Sequence, residues 1–149
     1  RWLQILIAVV VLAAAVFGVY RMVGSRAGKQ DLDRSVDTIT SALGKALMLR
    51  DQERSGQASV TRVRVELENV RKDLEGVARA TGDSHPEPSL VQLYQRVSYF
   101  SANAAKQVHA LASDAPPDSL DRTEARLRAM LTAASKLRAA VASDRGSPR

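Results

Sequence analysis

The side chains best suited to metal binding or proton transfer in this sequence are two histidines, and the first of them, His85, lies among possible metal ligands. Asp83 and Glu87 flank it, so three such side chains fall within a stretch of five residues. No second imidazole is close in the sequence, as a metal site would need. Ser84 and Glu87 instead have the spacing of a capping box at the start of a helix. We therefore predict a helix start here and no metal site.

The remaining residues also lack the arrangements that catalysis requires. The chain contains no cysteine, which excludes disulfides, thiolate zinc sites and cysteine nucleophiles. His109 stands next to the apolar position Val108, so we expect it to flank a helix interface and not to act as a base. Neither a Ser, His and Asp constellation nor a phosphate-binding loop is visible. We predict that the protein is not an enzyme, with no catalytic residue and no bound cofactor.

Basic residues are the other group that could bind a ligand. The chain has 22 Lys and Arg against 16 Asp and Glu, which gives a net charge of +6. Many have acids at the spacing of surface pairs on a helix, as in Glu68 with Lys72 and Asp118 with Arg122. A solvated surface is therefore the favoured interpretation over an anion-binding face. Nucleic acid is not an expected partner, since aromatic residues make up only 4% of the chain and no recognition module is legible. The basic residues considered are Arg62, Arg64, Arg71, Lys72, Arg122, Arg126, Arg128, Lys136 and Arg138.

The beginning of the chain predicts a membrane-spanning helix. Residues 2–20 contain one polar side chain, Gln4, and no charge, and a helix of this length spans roughly 28 Å, close to the hydrocarbon thickness of about 30 Å. A secretory signal peptide is the alternative, although the apolar run is longer than a typical signal core and the basic segment before it is hardly present. We place a single-pass anchor at residues 1–23 and a basic linker at residues 24–30. The residues expected to contact lipid headgroups are Trp2, Tyr20, Arg21, Arg26 and Lys29.

The side of the membrane on which the rest of the chain lies stays open. Arg21, Arg26 and Lys29 follow the apolar run of residues 2–20, whereas only Arg1 precedes it. The positive-inside rule, applied to these residues alone, places the following domain in the cytoplasm. The first residue is Arg and not Met, so we expect further residues upstream, and a basic segment there would reverse the orientation.

The sequence after the linker is typical of an all-α protein. Ala, Leu, Arg, Glu and Gln dominate, and apolar residues recur at intervals of three and four. We predict an up-down four-helix bundle over residues 31–143, with helices at about 31–54, 59–80, 88–112 and 118–143, Asp118 as the cap of the last, and a flexible tail at residues 144–149. The predicted core positions are Leu32, Val36, Ile39, Leu43, Ala46 and Leu47, then Val60, Val63, Leu67, Val70, Leu74 and Val77, then Leu90, Tyr94, Val97, Ser101, Ala104, Val108 and Leu111, and finally Leu120, Leu127, Leu131, Ala134, Leu137 and Val141.

The number of helices depends on whether the chain turns within residues 50–59. Ala58 is the only apolar side chain there, Ser55 stands beside Gly56, and the apolar seams on the two sides fall out of phase. A turn near Gly56 gives four helices of similar length. Without the turn, one helix of about 50 residues would reach roughly 75 Å and form a long coiled-coil hairpin.

A run in the first predicted helix and the order of the predicted segments together carry a resemblance to a known family. The run consists of Ile39, Thr40, Ser41, Ala42, Leu43, Gly44, Lys45, Ala46 and Leu47. With the order of a spanning helix, a basic linker and a helical bundle, it resembles the ligand-binding ends of bacterial chemoreceptors and sensor kinases, and in particular the N-terminal domain of type IV pilus chemotaxis receptors. Ser55 and Gly56 fall where the first hairpin of that family would turn. The resemblance implies a bundle outside the cytoplasm, in conflict with the simple charge rule.

These observations predict a non-enzymatic, single-pass protein of a bacterial cell membrane that acts as a sensory module. Such a bundle would pass a signal by small shifts of its packed helices. The lipid bilayer is an expected partner, and a second copy or another protein could pair through the helix seams. The alternative is a structural coiled-coil adaptor of a secretion, division or phage-lysis complex, in which the seam of residues 60–77 pairs with another chain.

Overall fold

The computed structural model describes residues 28–143, which form four α-helices and no β-strand. The helices are α1, Lys29–Arg54; α2, Val60–Gly82; α3, Val91–Ala112; and α4, Pro117–Ser143. The predicted all-α class and helical bundle are confirmed for this part of the chain. The predicted anchor at residues 1–23, most of the linker and the tail at residues 144–149 lie outside the described residues. None of the four helices is both long and apolar enough to cross a bilayer.

The four helices alternate in direction around a closed ring. Each packs against the next in sequence, and α4 packs against α1. Arg54 forms a salt bridge with Asp121 while Arg138 lies 3.1 Å from Asp37, so residue numbers rise along α1 as they fall along α4. We call the end at which α1 begins the proximal end and the opposite end, with the connections at residues 55–59 and 113–116, the distal end.

The chain turns at Gly56, and this turn separates α1 from α2. Gly56 has φ +71°, a left-handed conformation that only glycine adopts without a steric cost. The carbonyl of Gln52 accepts a hydrogen bond from the Gln57 N–H at 2.9 Å, which closes the end of α1. Ser59 then caps α2, since its hydroxyl accepts from the Arg62 N–H at 3.3 Å. The continuous helix through residues 50–59, and with it the long hairpin, is therefore excluded.

The starts of α3 and α4 differ from the sequence-based positions. The Ser84 hydroxyl donates to the carbonyl of Ala80 at 2.5 Å, so it belongs to the end of α2, and the predicted capping box with Glu87 is absent. Residues 88–90 form a turn, and α3 begins three residues later than expected. Pro117 occupies the first position of α4, where its missing N–H is not needed, and Asp118 lies in the first turn instead of capping it.

The core is a single cluster built from the apolar seams of the four helices. Every predicted core residue of α1 is buried, as is the seam of α3 with its polar member Ser101. In α2, Val77 is only partly buried, and Val60 is 49% exposed because it is the first residue of the helix and lies at the distal rim. The seam of α4 is narrower than expected, with Leu127, Ala134 and Val141 buried. Its partly buried members are Leu120, Leu131 and Leu137.

Candidate functional site

The proximal end joins the start of α1 to α3. The N–H of Gly28 donates to the Asp31 carboxylate at 3.1 Å, and the Tyr94 hydroxyl donates to the Gly28 carbonyl at 2.9 Å. Tyr94 is 2% exposed, and burial raises its pKa, with a further contribution from the negative charge of Asp31. The point at which the chain enters the bundle is thus tied directly to the core.

Of the five residues expected to contact lipid headgroups, Lys29 alone falls within the described residues. It is the first residue of α1 and is half-buried. Its ammonium nitrogen has no hydrogen-bond partner among residues 28–143. Trp2, Tyr20, Arg21 and Arg26 lie in the part of the chain that the structure does not describe.

His85 is exposed in the connection between α2 and α3. No group of three or more His, Asp or Glu side chains in the described bundle is arranged to hold a metal ion. The other histidine, His109, is also exposed, on α3, where it faces the groove described below.

The basic residues considered from the sequence do not form one surface. They belong to α2 and α4, which occupy opposite corners of the ring and make no contact within residues 28–143. Several are held by acids, and their partners differ from the expected pairs: Glu68 binds Arg71 and not Lys72, and Arg122 donates to the backbone carbonyl of Asp118. The others that form salt bridges are Arg64 with Asp114, Arg128 with Glu124, and Arg138 with Asp37.

A groove of about 450 Å³ runs along the outer surface between α2 and α3. Alanine side chains form its floor and charged side chains form its rim. The lining residues are Arg71, Glu75, Ala78 and Arg79 from α2, and Ala102, Ala105, Lys106 and His109 from α3.

The groove exists because α2 and α3 approach closely and carry small residues along their contact. The Ser98 hydroxyl donates to the carbonyl of Ala78 at 2.8 Å, and that of Ser101 donates to Leu74 at 2.7 Å, so two side chains of α3 bind the backbone of α2 directly. A Cβ atom on Gly82 would lie 3.2 Å from the Ser98 hydroxyl, which confirms the short separation at the proximal end. The outer face beside this contact holds only methyl groups, and long side chains rise on both sides.

Charge is distributed unevenly along the rim. Arg71 lies between Glu68 and Glu75, with its Nε 2.9 Å from a Glu68 oxygen, and these hydrogen bonds raise the pKa of Arg71 and lower that of Glu68. Arg79 and Lys106 differ, because within residues 28–143 neither side chain forms a salt bridge or hydrogen bond. Among the described residues of the groove, Arg71 is therefore already held by two carboxylates, whereas Arg79 and Lys106 are available to a ligand.

A smaller cavity of about 210 Å³ lies at the distal end, where residues of all four helices meet. Its two cations already have partners, since Arg50 binds Glu53 and Arg64 binds Asp114. The Nε of Arg50 is buried without a hydrogen-bond partner in the described bundle. Because both cations of this cavity are already paired with carboxylates, the cavity should bind an anion more weakly than the α2–α3 groove does.

The sequence interpretation did not find this groove. It considered Arg71 and His109 separately, and it did not consider Arg79 or Lys106. The signal is present in hindsight: Ala102, Lys106 and His109 recur at intervals of four and three, which places a small, a basic and a titratable residue on one face of α3. Only the pairing of α2 with α3 shows that this face meets a similar one.

No protein-family model, curated protein or solved structure matches this chain. The resemblance to chemotaxis receptors stays a prediction, and the function has to be argued from the geometry and the sequence.

Proposed function

We propose that this protein is a non-enzymatic helical-bundle module anchored in a bacterial cell membrane, and that the bundle lies outside the cytoplasm and transmits a signal to the membrane. The proposal combines the apolar segment of residues 2–20 with the four-helix bundle that follows it. The anchor is a sequence prediction, whereas the bundle is described directly.

The hydrogen bond from Tyr94 to Gly28 is the observation that best supports a sensory role. Gly28 immediately precedes α1, and Tyr94 belongs to α3, so a displacement at the start of the bundle reaches the diagonal helix through a single 2.9 Å contact. α1 and α3 also pack against each other across the core. A shift of packed helices would therefore be conducted between the bundle and the segment that precedes it.

An adaptor that pairs through its seams is less well supported. The seam of residues 60–77, which such an adaptor would present, is buried for the most part against the other helices of the same chain. Pairing it with another protein would require the bundle to open, which would expose the shared core to water.

Sidedness can be tested with a single cysteine, because the chain has none. Ser113 is exposed in the distal connection between α3 and α4. We expect Ser113→Cys to react with a membrane-impermeant maleimide in intact bacterial cells, and the labelled protein to stay in the membrane fraction after an alkaline wash. Ser55→Cys is the matched variant, since Ser55 is exposed in the other distal connection and must show the same accessibility.

The cysteine-free chain supplies the background for both variants. Labelling that appears only after lysis would place the bundle in the cytoplasm and favour the adaptor. Release of the protein by the alkaline wash would instead contradict the anchor. It is the result expected if residues 2–20 were a signal peptide that is cleaved from the mature protein.

A further inference from the structure

We propose that the α2–α3 groove binds a small organic carboxylate, whose apolar body lies on the alanine floor and whose carboxylate contacts Arg79 or Lys106. The proposal that a carboxylate binds here is argued from the structure of the groove alone. Its use as an input signal rests on the function proposed above.

The dimensions of the groove favour a small molecule. Its volume of about 450 Å³ falls within the range of roughly 300 to 1,000 Å³ that is usual for such sites. The lining extends over residues 71–79 of α2 and 102–109 of α3, which corresponds to roughly 10 to 12 Å along the helices. A docked protein helix would require a much longer interface, since stable protein contacts bury about 800 Å² on each partner.

The floor determines the chemical class of the ligand. The methyl groups of Ala78, Ala102 and Ala105 offer no hydrogen-bond donor, so an inorganic anion placed on them would lose hydration without compensation. A ring or short hydrocarbon chain would bury apolar surface there and gain free energy. The ligand therefore needs an apolar body.

The rim determines the charge of the ligand. Arg79 and Lys106 are without salt bridges in the described bundle, in contrast to the other groove cation, Arg71, which two carboxylates hold. A carboxylate can accept charge-assisted hydrogen bonds from either free cation. Glu75 directs a carboxylate oxygen to Arg71 and forms no salt bridge with Arg79 or Lys106 in the described bundle.

Binding can be measured on the full 149-residue chain, labelled with ¹⁵N, in neutral detergent micelles and at constant ionic strength. The probes are benzoate and its uncharged analogue benzamide. We expect benzoate to shift the backbone amides of residues 71–79 and 102–109 saturably, with a Kd of about 1 mM or tighter. Benzamide should bind at least about tenfold more weakly, because it carries no negative charge and cannot form an ion pair with Arg79 or Lys106.

Two variants separate the charge of the rim from the shape of the floor. Arg79→Gln combined with Lys106→Gln should weaken benzoate binding about tenfold while retaining the fold, because both side chains are exposed. Ala102→Leu should also weaken binding, by filling the floor with the charges intact. Arg126→Gln combined with Lys136→Gln removes two exposed charges from α4 and is the matched control that should bind normally.

Three results would overturn the proposal: equal binding of benzoate and benzamide, unchanged binding by the Arg79 and Lys106 double variant, or no saturable shift in the groove amides with benzoate up to about 20 mM. The cysteine labelling experiment uses no ligand, so the proposed anchoring and the proposed binding can fail independently.

Discussion

Hydroxyl groups from α3 fix the position of helices that apolar packing alone would allow to slide. Ser101 is fully buried and donates to the backbone of α2, and Tyr94 reaches the carbonyl before α1. A buried donor must find an acceptor or lose the free energy of its hydration. Hydrogen bonds depend on distance and angle, whereas apolar contacts do not depend on direction, so these contacts favour the observed register of the helices.

Replacing Tyr94 by Phe should lower the free energy of unfolding by about 1 kcal/mol at neutral pH, because the hydrogen bond to Gly28 is lost while the ring remains. The raised pKa of Tyr94 means that the fold favours the neutral phenol. Its contribution is therefore fully present below the ordinary tyrosine value of about 10 and is lost as the pH rises through the higher value of the folded state.

Urea unfolding of the wild type and the Tyr94→Phe variant at pH 7 and near pH 11 tests both effects. The difference between the two proteins isolates Tyr94 from the lysines that titrate in the same range, and we expect it to shrink at high pH. Tyr99→Phe is the control, since Tyr99 is 77% exposed and its loss should change little. A Tyr94→Phe difference that stays constant over this range would contradict the role assigned to the phenol.

The helices could be predicted from the sequence where the spacing of apolar residues was sufficient to define them. The α1 seam alternates at intervals of four and three from Leu32 to Ala46, is widened by Leu47, and has all of its members buried. The capping box of Ser84 and Glu87 was wrong because Ser84 can serve either the end of one helix or the start of the next, and only the folded chain shows that it donates to the Ala80 carbonyl. The groove could not be predicted from spacing, since it depends on which faces of α2 and α3 meet.

The turn between α1 and α2 can be tested by alanine substitution of glycines that differ only in backbone conformation. A Cβ atom at Gly56, Gly44 or Gly76 would meet no residue from another part of the described chain within 4 Å, so the three positions differ in backbone conformation and not in neighbouring contacts. Gly56→Ala should cost about 1 kcal/mol, because its φ of +71° is unfavourable for any residue with a side chain. Gly44→Ala and Gly76→Ala lie within helices and should each stabilise the protein by about 0.5 to 1 kcal/mol.

Chemical denaturation measures the free energy of unfolding of each variant. It should be lowered in Gly56→Ala and raised in Gly44→Ala and Gly76→Ala. Stabilisation by Gly56→Ala would mean that α1 and α2 can join into one helix in solution, which would restore the long hairpin as a possible fold.

At the scale of the whole molecule, apolar packing forms the interior, and a network of ion pairs joins α1 to α4 at the distal end. The interior is one continuous cluster to which every helix contributes. At the distal end, Arg54 contacts both Asp121 and Glu124, and Arg128 also binds Glu124, so α1 and α4 are joined by a charge network where the apolar seam of α4 is weak. Glu124 is 5% exposed, and its Oε1 accepts a hydrogen bond from Arg128. Its Oε2 has no hydrogen bond in the described bundle but lies 3.1 Å from Arg54, so the two arginines offset the charge of this buried carboxylate without satisfying both oxygens.

A single shared core implies that one buried charge should unfold all four helices together. Leu74 is 0% exposed in the middle of the α2 seam, and Leu74→Asp would place a carboxylate within the apolar core cluster. The cost of such a burial is several kcal/mol, comparable with the total stability of about 5 to 15 kcal/mol expected for a small domain. We expect the cooperative thermal transition in far-ultraviolet circular dichroism to disappear.

Val65→Asp is the matched control, because it makes a similar change on the same helix at a position that is 58% exposed. It should leave the melting temperature nearly unchanged. If the Leu74→Asp variant melted like the Val65→Asp variant, the α2 seam would not face the core, and the groove between α2 and α3 would lose its structural basis as well. The Leu74→Asp variant could instead lose only part of its helical circular dichroism and keep a sharp thermal transition. In that case α2 would unfold separately from the other helices, and signal transmission from α1 could not depend on the whole bundle moving as one body.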